Sequence, residues 1–185
     1  MTHYVAADMR SNHIARRITP VDNFPQPGIR FRDITPALQD PRALRNSIDL
    51  FAERYENVGL TQVVAIEARG FIFSAALADR LGIGLTLIRK PGKLPRDVFS
   101  ASYMLEYGGD ILELHKDALK ARDKVIIMDD MLATGGTMGA AVELVRKTPA
   151  TIYETAFVCE LLYLNGRKAL DKIGVNSYAI CAFDE

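Results

Sequence analysis

The segment at residues 125–137 constrains the fold of this chain more than any other, and it reads Val-Ile-Ile-Met-Asp-Asp-Met-Leu-Ala-Thr-Gly-Gly-Thr. Residues 125–128 are apolar without interruption, which is typical of a strand buried on both faces of a sheet. Asp129 and Asp130 end this predicted strand, a loop of small residues follows, and residues 138–147 carry a helical pattern. Strand, loop and helix in this order are typical of α/β proteins with mostly parallel sheets.

The loop after this strand has the composition of an anion site. Ligands of open α/β sheets lie at the carboxyl ends of the strands, where glycines leave backbone N–H groups accessible and the next helix adds the positive end of its dipole. Thr134 and Thr137 add hydroxyl donors, and the two carboxylates suit the hydroxyls of a sugar. The loop is not a Walker A motif, because Thr137 stands where that motif needs Lys. The segment therefore predicts a sugar-phosphate site, and the alternative is an ordinary turn beside a surface Asp pair.

Composition excludes several classes of function. The chain has 185 residues, enough for one domain with a sizeable core, and carries 23 basic and 23 acidic side chains. Zero net charge argues against DNA or RNA as the main partner, since nucleic-acid binding depends on a basic excess. No apolar run approaches the ~20 residues of a membrane helix, and residues 1–17 lack the apolar core of a signal peptide. Cys159 and Cys181 have no redox or metal spacing, so we expect reduced, buried thiols in a cytoplasmic protein that binds neither nucleic acid nor membrane.

The rest of the chain alternates predicted strands and helices, as a mostly parallel sheet flanked by helices requires. Residues 89–110 break the alternation and predict a long loop of the kind that acts as a lid. The segments before Asp40 and after Glu160 predict a small hood over one end of the sheet. Apolar runs predict strands at 63–66, 85–88, 111–114, 125–128, 152–158 and 178–182, and helical periodicity predicts helices at 41–58, 71–81 and 138–147.

Two further loops follow predicted strands and carry cations. The first reads Glu-Ala-Arg-Gly at residues 67–70, and the second places four cations within residues 89–96. Each alone would be interpreted as a solvated surface loop. Because parallel strands end at the same edge of a sheet, however, both loops would face the same cleft as residues 133–137. Cations in that position stabilise an anionic leaving group such as pyrophosphate.

Five sequence blocks, in this order, resemble the type I phosphoribosyltransferases and, among them, the members that act on adenine. The resemblance implies an α/β fold with a central, mostly parallel sheet flanked by helices. It implies a single domain over residues 1–185, with a core at about 41–160, a hood from about 1–40 and 160–185, and a flexible lid at about 89–110. The blocks are Phe-Pro-Gln-Pro-Gly-Ile-Arg-Phe-Arg-Asp-Ile at 24–34, Ala-Arg-Gly-Phe at 68–71, Ile-Arg-Lys-Pro-Gly-Lys-Leu-Pro at 88–95, Tyr-x-Leu-Glu-Tyr-Gly at 103–108 and the loop at 129–137.

The resemblance also implies roles for individual residues. Glu106 would handle a proton on the purine, and Tyr107 would belong to the moving lid. Arg30, Arg32 and Leu161 would contact adenine, with Arg30 at a position that is commonly aliphatic in the family. The ribose and 5′-phosphate of phosphoribosyl pyrophosphate (PRPP) would be held by Asp129, Asp130, Ala133, Thr134, Gly135, Gly136 and Thr137. Its pyrophosphate would be held by Glu67, Ala68, Arg69, Arg89, Lys90 and Lys93, with a cis peptide bond between the first two.

The activity that the resemblance implies is transfer of the phosphoribosyl group from PRPP to adenine, giving AMP and pyrophosphate in purine salvage. Mg²⁺ would accompany PRPP, held mainly by the substrate rather than by a direct protein site, and the enzyme would be a homodimer. Two alternatives remain open. One is a phosphoribosyltransferase for a 6-oxopurine such as hypoxanthine, although those enzymes lack the Leu-Glu-Tyr-Gly block. The other is a non-catalytic PRPP-sensing regulator, although no helix-turn-helix pattern of adequate length precedes Asp40.

Overall fold

The computed structural model describes residues 4–105 and 108–185, and its central feature is a six-stranded sheet. In chain order the strands of the described residues are β1 (Tyr4–Ala6), β2 (Thr19–Asp22), β3 (Arg30–Asp33), β4 (Gln62–Ile66), β5 (Gly84–Ile88), β6 (Val98–Leu105), β7 (Gly108–His115), β8 (Lys124–Leu132), β9 (Thr151–Leu161) and β10 (Ser177–Phe183). The central sheet has the spatial order β1-β10-β9-β8-β4-β5. Its strands from β10 to β5 are mutually parallel, and β1 adds an antiparallel edge. This confirms the predicted α/β fold.

Helices cover both faces of this sheet. They are α1 (Met9–Ala15), α2 (Thr35–Gln39), α3 (Pro41–Tyr55), α4 (Gly70–Leu81), α5 (Gly136–Arg146) and α6 (Gly166–Lys172). One hydrophobic cluster lies between the sheet and α1, α3 and α4, and a second lies between the sheet and α5, α6 and the β6–β7 pair. Strand β8 separates the two clusters, so residues 125–128 are fully buried on both faces. The uninterrupted apolar run is the consequence of that position.

Most of the predicted core elements are present, with different ends. The predicted strands at 63–66, 85–88, 125–128, 152–158 and 178–182 all lie within strands of the central sheet. Helix α5 begins at Gly136, inside the predicted loop. Strand β8 continues to Leu132, so the prediction that Asp129 and Asp130 end this strand is wrong. The reason is β9, which pairs with β8 as far as Leu132 opposite Glu160.

The region predicted as a long loop is mainly a β-hairpin. Strands β6 and β7 pair antiparallel from Val98 opposite His115 to Leu105 opposite Gly108, and they form a separate two-stranded sheet. The prediction of a loop at 89–110 is therefore wrong from Val98 onwards for the described residues, whereas the predicted strand at 111–114 is confirmed as part of β7, in this hairpin rather than in the central sheet. Ala101, Tyr103 and the two leucines of β7 are buried against α5, which holds the hairpin on the body of the protein. The predicted lid residues 106 and 107 lie outside the described residues.

The terminal segments pack together, but they do not form a hood separate from the sheet. Strand β9 extends to Leu161, and β10 and β1 complete the central sheet beyond it. The central sheet thus includes strands from both terminal segments. Within the described part of the terminal segments, the β2–β3 hairpin forms a small sheet of its own. Arg32 on β3 connects this hairpin to β10, since its guanidinium lies 4.3 Å from the centre of the Phe183 ring.

Phe51 on α3 offers a test of the core on the α3 face. Its ring is fully buried between Tyr55 and Tyr178, at centroid distances of 6.4 and 6.0 Å. We expect Phe51→Ala to lower the free energy of unfolding by about 3–5 kcal/mol, because a large buried ring leaves a cavity. Urea unfolding measures this change. The control is Arg45→Ala on the exposed side of the same helix, which should change it by less than about 0.5 kcal/mol. Equal losses in both variants would contradict this assignment of the core.

Candidate active site

A cavity of about 900 Å³ opens at the carboxyl ends of β8 and β9. One side of it is apolar, and the other is formed by carboxylates, a glycine loop and a cation. The sequence-predicted residues that line it are Arg30, Arg32, Arg69, Asp129, Asp130, Ala133, Thr134, Gly135, Gly136, Thr137 and Leu161. The cavity thus brings together the residues predicted for ribose phosphate, one cation predicted for pyrophosphate, and the residues predicted for the base.

The two adjacent carboxylates occupy different environments because successive side chains of a strand point to opposite faces. Asp130 is 2 % exposed and forms an ion pair with Arg69, whose own side chain is about half exposed. Asp129 is partly buried, and one of its oxygens accepts a hydrogen bond of 2.8 Å from the Asp130 backbone N–H. Burial and the neighbouring Asp130 charge raise the pKa of Asp129 well above its usual value. The strand therefore presents one paired carboxylate and one that is costly to ionise.

Gly70 allows α4 to start directly beside this pair. A Cβ atom at residue 70 would lie 3.0 Å from both the Asp129 Oδ1 and the Met128 carbonyl oxygen. At that distance the neighbouring atoms would have to give way by a few tenths of an ångström, so glycine eases the close approach of the helix to β8. The approach places Arg69, the residue before the helix, next to Asp130.

The predicted phosphate loop connects β8 to α5. Its residue Gly135 has φ +87° and precedes the first residue of α5, so the loop turns into the helix through a conformation that favours glycine. The Gly139 N–H donates to the Gly135 carbonyl oxygen at 2.8 Å, which makes this the first helical turn. Backbone N–H groups at such a helix start form an anion site. Thr134 is exposed and Thr137 partly so, which leaves both hydroxyls accessible from the cavity.

The loop after β4 has the predicted cis peptide bond between Glu67 and Ala68. The Glu67 carboxylate accepts hydrogen bonds from the Arg89 guanidinium at 3.1 and 3.3 Å and from the Lys90 backbone N–H at 2.9 Å. These contacts hold the pKa of Glu67 below its usual value, with the Arg89 hydrogen bond as the largest cause. The side chain of Glu67 therefore binds cations and joins the loops after β4 and β5. The predicted contact of Glu67 with pyrophosphate is then left to its backbone.

The remaining predicted pyrophosphate cations lie beside the cavity rather than in its lining. Of the described residues predicted for this role, Glu67, Ala68, Arg89, Lys90 and Lys93 do not line it. The ammonium group of Lys90 pairs with Asp110 on β7 and lies 3.2 Å from the Tyr103 hydroxyl on β6.

The base side of the cavity is built from β3 and the end of β9. Leu161 is 5 % exposed and lines the apolar wall together with Phe31. Arg30 is exposed and donates from Nε to Asp22 across the β2–β3 hairpin at 2.8 Å.

Arg32 is buried, with 1 % of its surface exposed, and donates to the Glu185 backbone oxygen. Its Nε and Nη1 atoms have no hydrogen-bond partner among the described residues. Burial lowers the pKa of this guanidinium. The Arg32 side chain thus belongs to the packing between β3 and β10.

Sequence reasoning missed several residues of the site, and two predicted ones fall outside the described residues. Glu106 and Tyr107 are those two, so their predicted roles stay predictions. Phe31 stands in the predicted block at 24–34 without a role of its own, and Asp22, the partner of Arg30, was not singled out; both positions follow from the β2–β3 register once the hairpin is known. Gly166, which contacts the phosphate loop, carries no sequence signal beyond its place after Asn165.

The described residues contain no group of three or more His, Cys, Asp or Glu side chains arranged to hold a metal ion. The side-chain carboxylates of Asp129 and Asp130 are among the oxygen donors that line the cavity. Among the described helices, none combines the length and the apolar character that crossing a membrane requires.

Comparison with known proteins agrees with this geometry. The phosphoribosyl transferase domain family matches residues 35–176. A curated adenine phosphoribosyltransferase of Escherichia coli O1:K1 is 47 % identical over 178 residues, which cover 96 % of this chain and 97 % of the relative. The adenine phosphoribosyltransferase of Thermoanaerobacter pseudethanolicus superimposes with a TM-score of 0.88 at 44 % identity, covering 94 % of this chain and 99 % of that one. The adenine phosphoribosyltransferase of Saccharomyces cerevisiae superimposes with a TM-score of 0.85 at 38 % identity, covering 92 % of this chain and 98 % of that one. Its structure was solved with D-2,5-dideoxy-2,5-imino-altritol 1,6-bisphosphate and adenine.

The raised pKa of Asp129 sets an expectation for stability. The pKa of Asp129 in the folded state lies above the unfolded value of about 3.9. At a pH between these two pKa values, the folded protein binds more protons than the unfolded chain. The free energy of unfolding therefore falls as the pH rises through this range. Asp129→Asn removes this term, and we expect the variant to be more stable than the wild type at pH 7. Urea unfolding between pH 5 and pH 8 measures the difference.

The control for this measurement is Asp79→Asn, a change of the same kind on the exposed side of α4. It should leave the pH dependence of stability as it is in the wild type. If Asp129→Asn were no more stable than the wild type at pH 7, the costly ionisation of Asp129 would be refuted.

Proposed function

The chain belongs to the phosphoribosyltransferase family, and we propose that its cleft transfers the 5-phosphoribosyl group of PRPP to adenine, yielding AMP and pyrophosphate in purine salvage. The observation that carries the proposal is the convergence, in one cavity, of the acidic pair on β8, the glycine loop at 133–137, Arg69 and an apolar wall that includes Leu161. The acidic pair fits ribose hydroxyls, and the glycine loop fits a 5′-phosphate. Arg69 fits a pyrophosphate, and the apolar wall fits a purine ring.

The reaction breaks the bond between ribose C1 and a pyrophosphate oxygen and forms a bond from C1 to adenine N9, which loses its proton. Positive charge develops on C1 and negative charge on the departing pyrophosphate. Fixed cations beside the leaving group stabilise that charge without reorganising during the reaction. Alignment of the two substrates and exclusion of water supply the rest of the acceleration.

Binding of PRPP exchanges the partners of charges that are already paired. In the structure Arg69 pairs with Asp130, Arg89 with Glu67 and Lys90 with Asp110. Pyrophosphate carries enough negative charge to take over Arg69. The Asp130 oxygens that Arg69 releases then accept hydrogen bonds from the ribose hydroxyls. The pairing supports this proposal because it keeps a buried carboxylate compensated until the sugar arrives.

Recognition of the base is assigned to the backbone of β3. Pro20 on β2 stands opposite Arg32 and has no N–H, so the Arg32 carbonyl receives no ladder hydrogen bond from that position. The Arg32 carbonyl oxygen is proposed to accept a hydrogen bond from the exocyclic amino group of adenine, whereas hypoxanthine presents a carbonyl at the same place. Arg30 and Leu161 are proposed to contact the two faces of the ring.

Mg²⁺ is proposed to accompany PRPP. The carboxylate oxygens of Asp129 and Asp130 have the hard-donor character that Mg²⁺ prefers, but two side chains do not make a complete coordination shell. The pyrophosphate and ribose oxygens would supply most of the ligands, with these two carboxylates closest on the protein side. The chemistry that the ion supplies is neutralisation of phosphate charge.

Two further proposals concern the state of the protein. The thiols of Cys159 and Cys181 are both free and buried, which supports a reducing compartment such as the cytoplasm. A homodimer is proposed from the family resemblance. The edge strand β5 and the adjoining α4 expose apolar side chains, with Leu85 at 38 % and Ile72 at 43 % exposure, and form a candidate surface for the second copy. Sedimentation measurements test the dimer.

PRPP-dependent conversion of labelled adenine, hypoxanthine and guanine, assayed in parallel with Mg²⁺, tests the function. We expect kcat/KM for adenine to exceed that for hypoxanthine by about 10⁴ or more, because the Arg32 carbonyl oxygen, fixed in the β3 backbone, would face the carbonyl oxygen of the 6-oxopurine. Hypoxanthine within tenfold of adenine would replace the proposal with the 6-oxopurine alternative. Tight PRPP binding without turnover of any base would favour the regulator.

Glu106→Gln tests the proposed proton-handling residue. We expect kcat to fall by about 10²–10⁴, the usual contribution of a positioned acid or base, while the Kd for PRPP measured by calorimetry stays near the wild-type value. Glu143→Gln, an exposed carboxylate on α5, is the matched control and should leave both constants unchanged. A loss of PRPP affinity with kcat preserved would assign Glu106 to substrate binding instead.

A further inference from the structure

Helix α6 is built tightly against the proposed phosphate loop. A Cβ atom at Gly166, the first residue of the helix, would lie 2.2 Å from the Ala133 carbonyl oxygen and 2.8 Å from the nearest side-chain carbon of Leu132. A Cβ atom at Gly135 would in turn lie 2.9 Å from the Gly166 carbonyl oxygen. The loop and the start of α6 therefore meet backbone to backbone, and each side of the contact is a glycine.

Arg167 anchors this contact to the ends of two strands. Its Nε lies 3.0 and 3.2 Å from the two carboxylate oxygens of Glu160 on β9, and its guanidinium also donates to the Ser177 carbonyl oxygen at the start of β10. The Glu160 side chain is 4 % exposed, and its residue pairs with Leu132, directly before the loop. A bidentate pair with a buried carboxylate fixes both position and orientation. The start of α6 is thereby held at a defined height above the end of β8.

We propose that Gly166 and Arg167 are positioning residues for the 5′-phosphate of PRPP. They act through the loop at 133–135, whose backbone N–H groups aim correctly only while the loop rests on the start of α6. Neither residue needs to touch the substrate. The inference depends on the proposed function, and it adds two residues outside the recognised loop that determine affinity for one group of the substrate.

The chemistry of the ligands allows a specific test. PRPP and AMP both carry the 5′-phosphate, whereas adenine and pyrophosphate do not. In Gly166→Ala the added methyl group must push the Ala133 carbonyl away, and we expect a rise of about tenfold or more in the KM for PRPP and the Kd for AMP, as misplacement by an ångström produces. The adenine KM at saturating PRPP and the inhibition constant of pyrophosphate should stay within about twofold of the wild type.

Gly139→Ala is the matched control. It makes the same chemical change in the first turn of α5, directly after the loop, and a Cβ atom there meets nothing within 4 Å. All four constants should match the wild type in this variant. A second variant, Arg167→Lys, keeps the charge but loses the bidentate geometry, and it should weaken PRPP and AMP in the same direction. Its side chain is 39 % exposed, so the fold should accept the change if Gly166→Ala does not fold.

The outcomes separate the two proposals. The positioning role is overturned if the wild type is active and a folded Gly166→Ala variant keeps the wild-type KM for PRPP and Kd for AMP. If Gly166→Ala does not fold, wild-type values of these two constants in Arg167→Lys overturn it. Equal weakening of adenine and pyrophosphate would also overturn it, because the contact would then support the whole cleft. A wild type without turnover of adenine would refute the proposed function itself, whereas a selective loss of AMP binding would still support the role of α6.

Discussion

Unequal pairing along the two edges of β8 creates the cleft. On one edge β8 pairs with β4 only as far as Met128, opposite Ala65, and on the other edge it pairs with β9 as far as Leu132. Beyond Met128 the strand is therefore flanked by a neighbouring strand on one side only. The start of α4 fills the other side, and Gly70 lets it do so. Asp129 and Asp130 lie in this half-open stretch, where a carboxylate can be held by the sheet and still reach a ligand.

The same position explains the balance of charges around the site. A carboxylate that is nearly buried needs a compensating cation, and Asp130 has one in Arg69. Asp129 has weaker compensation, and its raised pKa expresses the free energy that the folded state loses by keeping it ionised. A stability optimum would replace Asp129 by an apolar or amide side chain. Its retention at the lining of the cavity is typical of a residue kept for function at the expense of stability.

The parts of the fold that the sequence predicts are those with a local signal. Fully buried strands read as apolar runs, and the strand, acidic pair and glycine loop of residues 125–137 are contiguous, so the fold class and the phosphate side of the site follow from them. The β6 strand was missed because its inward residues include the small Ala101, and its outward residues are the serines 100 and 102. Buried and exposed residues do alternate along β6, but the two sets differ little in hydropathy. The end of β8 was misplaced because carboxylates inside a strand contradict the pattern of a buried strand.

The base side of the cleft could not be predicted in the same way, since it exists only in tertiary structure. The hydrogen bond from Arg32 to Glu185 joins residues 153 positions apart, and the ring of Phe183 covers the guanidinium. The contact between β3 and β10 therefore joins the first and last parts of the chain. The phosphate loop, in contrast, is contiguous with β8 and α5, and its further support is the start of α6, which Glu160 and Ser177 hold. It follows that the residues proposed to hold the sugar phosphate can be recognised from one short motif. The choice of base depends instead on packing between the first and last parts of the chain. Substitutions at the contact between Arg32 and Phe183, on the base side of the cavity, should for this reason alter the choice of base before they alter PRPP binding.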